Sequence, residues 1–438
     1  MTRSLKTFPG GLHPPEHKLT AGRPIEVCAL PGQLVVPLAQ HIGAPAASCV
    51  AVGQRVKKGE VIGAAKGFVS VPVHAPTSGE ILAIEPRPHP SGRALPAVVI
   101  RADGDDDWGD CPSPLDPQGT PVADLVERIR AAGVVGMGGA AFPTHVKLTP
   151  PADKPIDTLL VNGVECEPYL TADHRLMLEE TDRLLTGVAI VRRILGAERV
   201  AIGIEANKPD AIALLAERCA GRGIEVVPLA VKYPQGSEKQ LIHAITGREV
   251  PSARLPMDVG VVVQNVATLA AVTDAVVAGR PLIERICTVT GPAVATPRNL
   301  RIRIGTPLRH LVEACGGLTE SPGKIVMGGP MMGQAQLSLD VPATKGTSGL
   351  LLLRPRDAAP APEGPCIRCA RCVQACPIHL APTTIAACSR LERFAEAEHW
   401  LAMDCIECGS CSYICPAGLP LVQTIRHAKA TILAQRRR

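Results

Sequence analysis

Two cysteine runs near the carboxyl end constrain this chain more than any other feature. CIRCARCVQACP (366–377) and CIECGSCSYICP (405–416) both have the spacing C-x2-C-x2-C-x3-C-P, and together they hold eight of the sixteen cysteines. Three thiolates at this spacing wrap three corners of an iron–sulfur cubane, whereas the longer gap and the proline turn the fourth cysteine toward a neighbouring cluster. The pattern therefore predicts two [4Fe–4S] clusters that exchange one ligand between the runs.

This exchange of the fourth cysteine determines which thiolates hold each cluster. The first cluster is assigned to Cys366, Cys369, Cys372 and Cys415, and the second cluster to Cys405, Cys408, Cys411 and Cys376. Two four-cysteine zinc sites are the alternative, but a zinc ribbon does not use a third cysteine at the next such spacing or the proline that follows. We expect a ferredoxin-like module over 362–438, and we expect the scattered remaining cysteines to be small buried hydrophobic residues.

Composition and charge argue against several functions. The 438 residues suffice for roughly two to four domains. Nucleic-acid binding is not expected, because only 2% of the residues are aromatic and the net charge of +5 is scattered. The first eighteen residues lack the apolar core of a signal peptide, which favours a reducing, cytoplasmic compartment. The most apolar long stretch, 259–279, is interrupted by Gln264, Asn265 and Asp274, so we expect at most a peripheral membrane association.

Hydrophobic patterning divides the chain into four segments. Residues 1–105 have the short β-hairpin runs of a barrel–sandwich module, without a carrier-type lysine at the tip, which indicates a structural or docking role. Residues 120–281 alternate short apolar runs with helix-length segments, which predicts an α/β domain with a largely parallel sheet. Residues 284–354 have an α+β pattern, and a Pro/Ala hinge at 357–365 leads to the cysteine module. The predicted fold class is multidomain α/β and α+β.

The Gly-rich segment GVVGMGGAAFPTHVKL (133–148) is a candidate phosphate-binding loop. Its glycines, Gly136, Gly138 and Gly139, let a backbone present N–H groups to a phosphate, and Lys147 could add a positive charge. The segment does not open a helix directly after a strand, so it fits neither the Rossmann fingerprint nor the P-loop. A plain tight turn remains an equal alternative.

Three polar segments follow predicted strands of the α/β domain: NGVECEP (162–168), KYPQGSEKQ (232–240) and QNVAT (264–268). Ligands of open α/β sheets collect at the carboxyl ends of the strands, so these segments and the Gly-rich loop predict a nucleotide cofactor cleft. Taken alone, each acidic residue is more often a solvated loop charge. The candidate residues are Asn162, Glu165, Glu167, Tyr233, Gly236, Glu238, Asn265 and Thr268.

The order of barrel–sandwich module, Gly-rich α/β domain, small α+β domain and two-cluster module resembles the RnfC family, the C subunits of Rnf ion-translocating electron transport complexes, over nearly the whole chain. The central domain is similar to the flavin- and NADH-binding subunit of respiratory complex I. The resemblance implies that the segment GMGGAAFP binds the FMN phosphate, that Phe142 lies against the adenine of NADH, and that 284–354 is a ligand-binding β-grasp domain.

The resemblance also implies roles for single residues. It assigns FMN binding to Lys147, Asn162, Asn265 and Thr268, and it places the candidate catalytic residues Glu167 and Glu238 against the nicotinamide nucleotide. The chain departs from the complex I pattern by having Met137 for arginine, Ala141 for glycine and Gln264 for the first of two asparagines. These departures bear on how tightly FMN is held more than on the fold.

The function implied by the resemblance is that of a peripheral subunit on the cytoplasmic side of the bacterial inner membrane. It would exchange hydride with NAD(H) at FMN and pass single electrons through the clusters to integral-membrane and peripheral partners, with ferredoxin reached through other subunits. Ion translocation would belong to the partners. Two alternatives stay open: an electron-wiring scaffold that binds no flavin, and a soluble NADH diaphorase.

Overall fold

A computed structural model of the chain describes residues 5–359 and 362–436, so two residues of the predicted hinge and both ends of the chain lie outside this description. The strands are β1 (Ile25–Val27), β2 (Gln33–Pro37), β3 (Ala47–Ser48), β4 (Arg55–Val56), β5 (Val61–Ala64), β6 (Val73–His74), β7 (Gly79–Pro88), β8 (Ala94–Ala102), β9 (Thr158–Gly163), β10 (Arg199–Glu205), β11 (Ile224–Leu229), β12 (Val261–Asn265), β13 (Glu284–Thr290), β14 (Arg298–Arg303), β15 (Lys324–Met327), β16 (Gln334–Gln336) and β17 (Gly349–Leu353).

The helices of the described chain alternate with the strands in the central domain and dominate the carboxyl end. They are α1 (Val122–Ala131), α2 (Thr144–Lys147), α3 (Ala172–Glu179), α4 (Thr181–Leu195), α5 (Pro209–Cys219), α6 (Glu238–Thr246), α7 (Val266–Val277), α8 (Leu308–Ala314), α9 (Pro355–Ala358), α10 (Arg371–Ala375), α11 (Pro382–Arg390), α12 (Phe394–His399), α13 (Ser410–Tyr413) and α14 (Leu421–Arg436). Within residues 5–359 and 362–436, no helix has both the length and the apolar character needed to cross a membrane.

The barrel–sandwich module consists of two small antiparallel sheets, ordered β2-β8-β7-β4 and β3-β5-β6. Alternate residues of the strands face each other between the sheets, as period-two patterning requires. The resulting core includes Leu34, Val36, Ile62, Ile81 and Ile100, all fully buried.

The central domain is built on a four-stranded parallel sheet in the order β11-β10-β9-β12. The chain passes from β9 outward to β10 and β11, and then returns through α6 to place β12 on the other side of β9. The strand order therefore reverses between β9 and β12, and ligands of such sheets bind in the crevice at this reversal point. Helices α1, α4 and α7 cover one face, where the largest core lies, and α6 covers the other.

The β-grasp domain is a six-stranded mixed sheet in the order β1-β14-β13-β17-β15-β16. Its edge strand β1 comes from the amino-terminal segment and pairs in parallel with β14, so residues that precede the barrel–sandwich sheets complete a distant sheet. Helix α8 packs over a core that includes Leu300, Ile302, Leu308 and Leu311.

The carboxyl-terminal module is helical between its two cysteine runs. Helices α11 and α14 pack against each other through Ile385, Ile425, Ala428 and Ile432. The short helices α10 and α13 follow equivalent positions in the two runs, which shows that the sequence repeat is also a structural repeat. This arrangement brings the two cysteine runs together beside the hydrophobic core of the module.

Candidate functional site

Two asparagines lie at the carboxyl ends of the neighbouring strands β9 and β12, where the strand order reverses. Asn162 of β9 and Asn265 of β12 are paired across the sheet. Asn162 Nδ2 donates to the Gly236 carbonyl at 2.8 Å, and its Oδ1 accepts from the Val164 amide at 3.0 Å. Asn265 Oδ1 accepts from the Ala267 amide at 2.9 Å and so caps helix α7. Both side chains therefore fix the loops that border the crevice.

The Gly-rich loop lies at the amino end of helix α7, where the helix dipole favours an anion. The Met137 amide donates to Thr268 Oγ1 at 2.9 Å, which ties the loop to the first turn of that helix. A Cβ on Gly138 would lie 2.6 Å from Asn265 Nδ2, whereas a Cβ on Gly139 would meet no atom within 4 Å. The loop is thus packed against Asn265 on one side and bordered by open space on the other.

Lys147 and Glu238 meet at the edge of the same crevice. Lys147 Nζ lies 2.6 Å from Glu238 Oε1 and also donates to the Val263 carbonyl at 3.3 Å. Glu238 is the first residue of α6. The Phe142 carbonyl accepts from the Gly136 amide at 2.8 Å and closes the Gly-rich loop. The structure therefore brings Lys147, Glu238 and the loop to one edge of the sheet.

Glu165, which is buried, and Asp173, which is half-buried, are neighbouring carboxylates at the amino end of helix α3. Glu165 accepts from the Asp173 and His174 amides at 3.0 and 3.2 Å, which caps helix α3. Asp173 Oδ2 accepts from Asn265 Nδ2 at 2.7 Å. Burial, and secondly the charge of Glu165, raise the pKa of Asp173 to about 7. Asp173 has no signal in the sequence, because it follows no predicted strand and belongs to no spaced motif.

Glu167 is held by a loop of the β-grasp domain. Its carboxylate accepts from the Met331 and Met332 amides at 3.0 and 2.8 Å. Burial raises the pKa of Glu167 to about 7, although the two amides act in the opposite direction. A Cβ at Gly329 would overlap this carboxylate, so the loop can approach only as glycine. That Glu167 faces the nicotinamide stays a prediction.

Tyr233 joins the central domain to the cysteine module. Its side chain is only 1% exposed, and its hydroxyl donates to the Cys408 carbonyl at 2.7 Å. Burial raises the pKa of this phenol far above its usual value, which keeps the donor protonated. The Tyr233 amide and carbonyl pair with Leu12 of the amino-terminal segment. Gly236, three residues on, donates its amide to Cys166 Sγ at 3.3 Å.

The four cysteines assigned to the second cluster line one small cavity. Cys376 of the first run and Cys405, Cys408 and Cys411 of the second run all face it. Burial and the neighbouring thiols raise the pKa of Cys411 to about 12, so ionised thiolates here need a compensating cationic core. Cys376 from the first run therefore lies with three cysteines of the second run, but that these four thiolates hold one cluster stays a prediction.

The first cluster's cysteines are less enclosed. Cys366 and Cys369 are exposed, Cys415 is half-buried and Cys372 is buried. The two runs also share their backbone conformation. Arg368 and Glu407 have φ values of 57°, and Ala370 and Gly409 have φ values of 59° and 80°. Left-handed residues at alternate positions turn successive amides toward one side of a loop, which is the backbone form of an anion-binding nest.

Four family models match the chain in the order found in the structure. They are the RnfC barrel–sandwich hybrid domain at 6–105, the Nuo51 FMN-binding domain at 129–274, the SLBB domain at 286–335 and the 4Fe–4S dicluster domain at 362–416. The C subunit of a proton-translocating ferredoxin:NAD(+) oxidoreductase complex from Clostridium ljungdahlii is 48% identical over 429 residues, which cover 97% of this chain and 94% of the relative. The chain belongs to the RnfC family.

Other members of the RnfC family match over a similar extent. The C subunit of the Na(+)-translocating ferredoxin:NAD(+) oxidoreductase complex from Acetobacterium woodii is 48% identical, covering 99% of this chain and 98% of the relative. The C subunit of the ion-translocating oxidoreductase complex from Rhodobacter capsulatus is 44% identical, covering 97% of this chain and 82% of the relative. These relatives confirm the prediction that the chain belongs to a family of subunits of oxidoreductase complexes.

Two solved structures of a more distantly related enzyme share part of this fold. A crystal structure of NAD+-reducing [NiFe]-hydrogenase in the H2-reduced state matches with a TM-score of 0.50 and 20% identity, over 71% of this chain and 63% of that chain. The air-oxidized state of the same type of enzyme gives a TM-score of 0.51 and 19% identity, with the same coverage. At this identity the likeness shows the fold alone, and the predicted fold class is confirmed.

The predicted FMN and [4Fe–4S] clusters are confirmed as cofactors of this RnfC-family chain by its FMN-binding and dicluster domains. The residues that hold them stay predictions, but the described crevice fits a flavin phosphate. Gln264 Nε2 is buried beside Asn265 without a partner in the described chain, so a donor is available there. Ala141, a departure from the complex I pattern, has a φ of 53°, a conformation that glycine adopts with less strain.

Proposed function

We propose that this chain is the peripheral, cytoplasmic-side subunit that exchanges hydride with NAD(H) at FMN and passes electrons singly through its two clusters to partner subunits. The observation that carries the proposal is the Tyr233 hydroxyl on the Cys408 carbonyl, because it joins the flavin crevice directly to a cluster-binding loop. Relatives named as C subunits of ferredoxin:NAD(+) oxidoreductase complexes support the choice of NAD(H). Integral-membrane and peripheral subunits would receive the electrons, and ferredoxin would be reached through them.

Each part of the crevice has a separate task in this proposal. Bound FMN accepts a two-electron hydride and releases electrons one at a time. The Gly-rich loop and the amino end of α7 bind its phosphate, while Asn162, Asn265 and Thr268 hold the loops in place. Lys147 adds a positive charge beside Glu238 at the open edge. Glu167 and Glu238 orient the nicotinamide nucleotide, and Phe142 packs against its adenine.

We propose that the second cluster accepts electrons from the flavin first. Besides Tyr233, the Gly11 amide donates to the Ala375 carbonyl at 3.0 Å, and Gln240 Nε2 donates to the Pro377 carbonyl at 3.0 Å. All three contacts fall beside Cys376 or Cys408, which are assigned to the second cluster. Electrons would therefore enter at the second cluster and leave through the first.

The surface around the first cluster suits the exit of electrons to another protein. Cys366, Ile367, Arg368 and Cys369 are all exposed in succession. Ile367 keeps 66% of its surface accessible, and the neighbouring Arg368 is of a residue type that is enriched at protein interfaces. We propose that a partner subunit with a complementary acidic surface docks here.

Flavin content and NADH oxidation test the proposal. The protein purified without oxygen should release noncovalent FMN into an acid supernatant and oxidise NADH with an artificial acceptor. Lys147→Met should lose FMN affinity by about tenfold, since a single charge beside a phosphate contributes roughly 1 to 2 kcal/mol. Absence of both flavin and activity after reconstitution with FMN would favour the electron-wiring scaffold instead.

A second measurement separates the complex subunit from a soluble diaphorase. The chain should co-sediment with membranes from its native host, and it should leave them when the genes for neighbouring membrane subunits are deleted. A chain that stays in the soluble fraction in both strains, with full NADH oxidation, would favour the soluble enzyme.

A further inference from the structure

Arg285 is a buried arginine of the β-grasp domain that reaches the flavin loop. It lies on β13, and its side chain is only 3% exposed. Its guanidinium donates to the Lys345 carbonyl at 2.6 Å, to the Ile286 carbonyl at 3.2 Å and to the Met137 carbonyl at 3.4 Å. Met137 is the second residue of the GMGG turn, so a residue from another domain touches the backbone of the proposed phosphate loop.

The charge of Arg285 has no ion-pair partner among residues 5–359 and 362–436. All its hydrogen bonds go to neutral carbonyls. Burial lowers the pKa of Arg285, and the charge of Asp173 acts in the opposite direction without forming a hydrogen bond to the guanidinium. A buried, unpaired charge is costly to remove from water, so an anion that compensates it is favoured nearby. Asp173 is already bound by Asn265, the residue packed against Gly138.

A second basic side chain from the same domain lies behind the same loop. Lys345 Nζ is buried and donates to the Gly133 carbonyl at 2.7 Å and to the Pro72 carbonyl at 3.0 Å. Burial lowers the pKa of Lys345 to about 7, so the lasting positive charge is that of Arg285. The GMGGAAFP segment itself has no charged side chain. Positive charge behind the loop is therefore delivered by the β-grasp domain.

Both backbone groups of Met137 are consequently held by side chains. Thr268 Oγ1 accepts from its amide, and Arg285 donates to its carbonyl. Fixing this residue on both sides sets the direction of the amides of Gly138 and Gly139, which follow it. A cation bound to the carbonyl also makes the adjoining amide a stronger donor, because polarisation spreads along hydrogen-bonded peptide groups.

We propose that Arg285 is a positioning residue for the FMN phosphate, which it stabilises through the Met137 peptide from behind the Gly-rich loop. The β-grasp domain is then part of the flavin site. This inference rests on the proposed flavin function, and it adds a phosphate-specific role for a residue outside the crevice.

Flavins with and without a phosphate test this role. Deflavinated protein with intact clusters is titrated with FMN and with riboflavin, and flavin fluorescence quenching gives both dissociation constants. For Arg285→Gln we expect FMN binding to weaken at least tenfold and riboflavin binding to change less than about twofold. Equal weakening of both flavins would mean that Arg285 only shapes the loop, and unchanged FMN binding would mean that it has no role; either result overturns the proposal.

Two further variants keep the test decisive. Arg285→Lys retains the charge but not the forked donor, so we expect the preference for FMN over riboflavin, the ratio of their two dissociation constants, to fall about threefold. If Arg285→Gln fails to fold, Arg285→Lys is the variant that tests the proposal. An unchanged preference in Arg285→Lys would then overturn it. Arg301→Gln is the matched control, because Arg301 lies on the neighbouring strand with Glu180 as its ion-pair partner. It should leave the preference unaltered. Failure of the wild type to bind either flavin would instead contradict the proposed function.

Discussion

Buried charges gather around the loop that follows β9. Lys18 Nζ donates to the carbonyls of Glu165, Glu167 and Leu170 at 2.7 to 2.9 Å, and burial lowers its pKa. The amino-terminal segment is thus fastened to the carboxyl edge of the sheet. Glu167 lies in this loop with a raised pKa, so its ionisation is linked to folding.

Glu167 should make the stability of the protein fall as the pH rises. Its folded pKa of about 7 exceeds the ordinary value of 4.5, so the folded state retains a proton that the unfolded state has released. Stability from this group is present below the ordinary pKa and is lost as the pH approaches the folded pKa. Between pH 5.5 and 7.5 the loss should be roughly 2 kcal/mol.

Glu167→Gln removes this titration and isolates it from other groups. The melting temperature of the variant, measured without oxygen by scanning calorimetry, should rise relative to the wild type by roughly 2 °C between pH 5.5 and 7.5. A temperature difference that stays constant across this range would show that Glu167 does not titrate there.

At the scale of elements, local patterns predicted the strands of the central sheet well. The apolar runs at 157–161 and 199–204 overlap β9 and β10, because a strand buried on both faces has a continuous apolar signature. The run at 224–229 forms β11, which is an edge strand and is partly exposed. The sequence of the Gly-rich loop is compatible with a phosphate site and with a plain turn. Its packing against Asn265 depends on β12, which lies more than a hundred residues along the chain, so spacing within the loop did not reveal it.

Two glycines of this loop should respond differently to the same substitution. Gly138→Ala pushes Asn265 off the cap of α7 and away from Asp173, so it should lower both apoprotein stability, by about 1 kcal/mol, and FMN affinity. Gly139→Ala meets no protein atom, so it should lower FMN affinity and leave apoprotein stability unchanged. Thermal melts of the deflavinated variants and FMN titrations give the two quantities. Unaltered FMN affinity in Gly139→Ala would mean that the open space beside the loop is not the flavin site.

At the scale of the whole molecule, the decisive contacts join residues far apart in sequence. Arg285 and Met137 are separated by 148 positions, Glu167 and Met331 by 164, and Tyr233 and Cys408 by 175. Motif spacing predicted the cysteine sets, since each run is complete within a dozen residues. It did not predict which domain faces which cluster, because nothing local records how domains pack. The resemblance to a family supplied the order of domains but not these contacts.

We expect the two clusters to take electrons in a fixed order, and cysteine variants should reveal that order. In Cys369→Ser the second cluster keeps all its ligands and its contacts with the flavin domain, so NADH should still reduce it at the wild-type rate. Cys408→Ser removes a ligand of the second cluster, so the first cluster loses its neighbour. Reduction of the first cluster by NADH should then slow at least tenfold, because electron tunnelling weakens steeply with distance. Dithionite should still reduce the first cluster. Freeze-quench EPR spectroscopy follows each cluster, and dithionite reduction serves as the control for cluster integrity. If NADH reduces the first cluster of Cys408→Ser at the wild-type rate, the proposed order is wrong. Electrons would then reach the exposed first cluster without passing through the second cluster, which lies beside Tyr233.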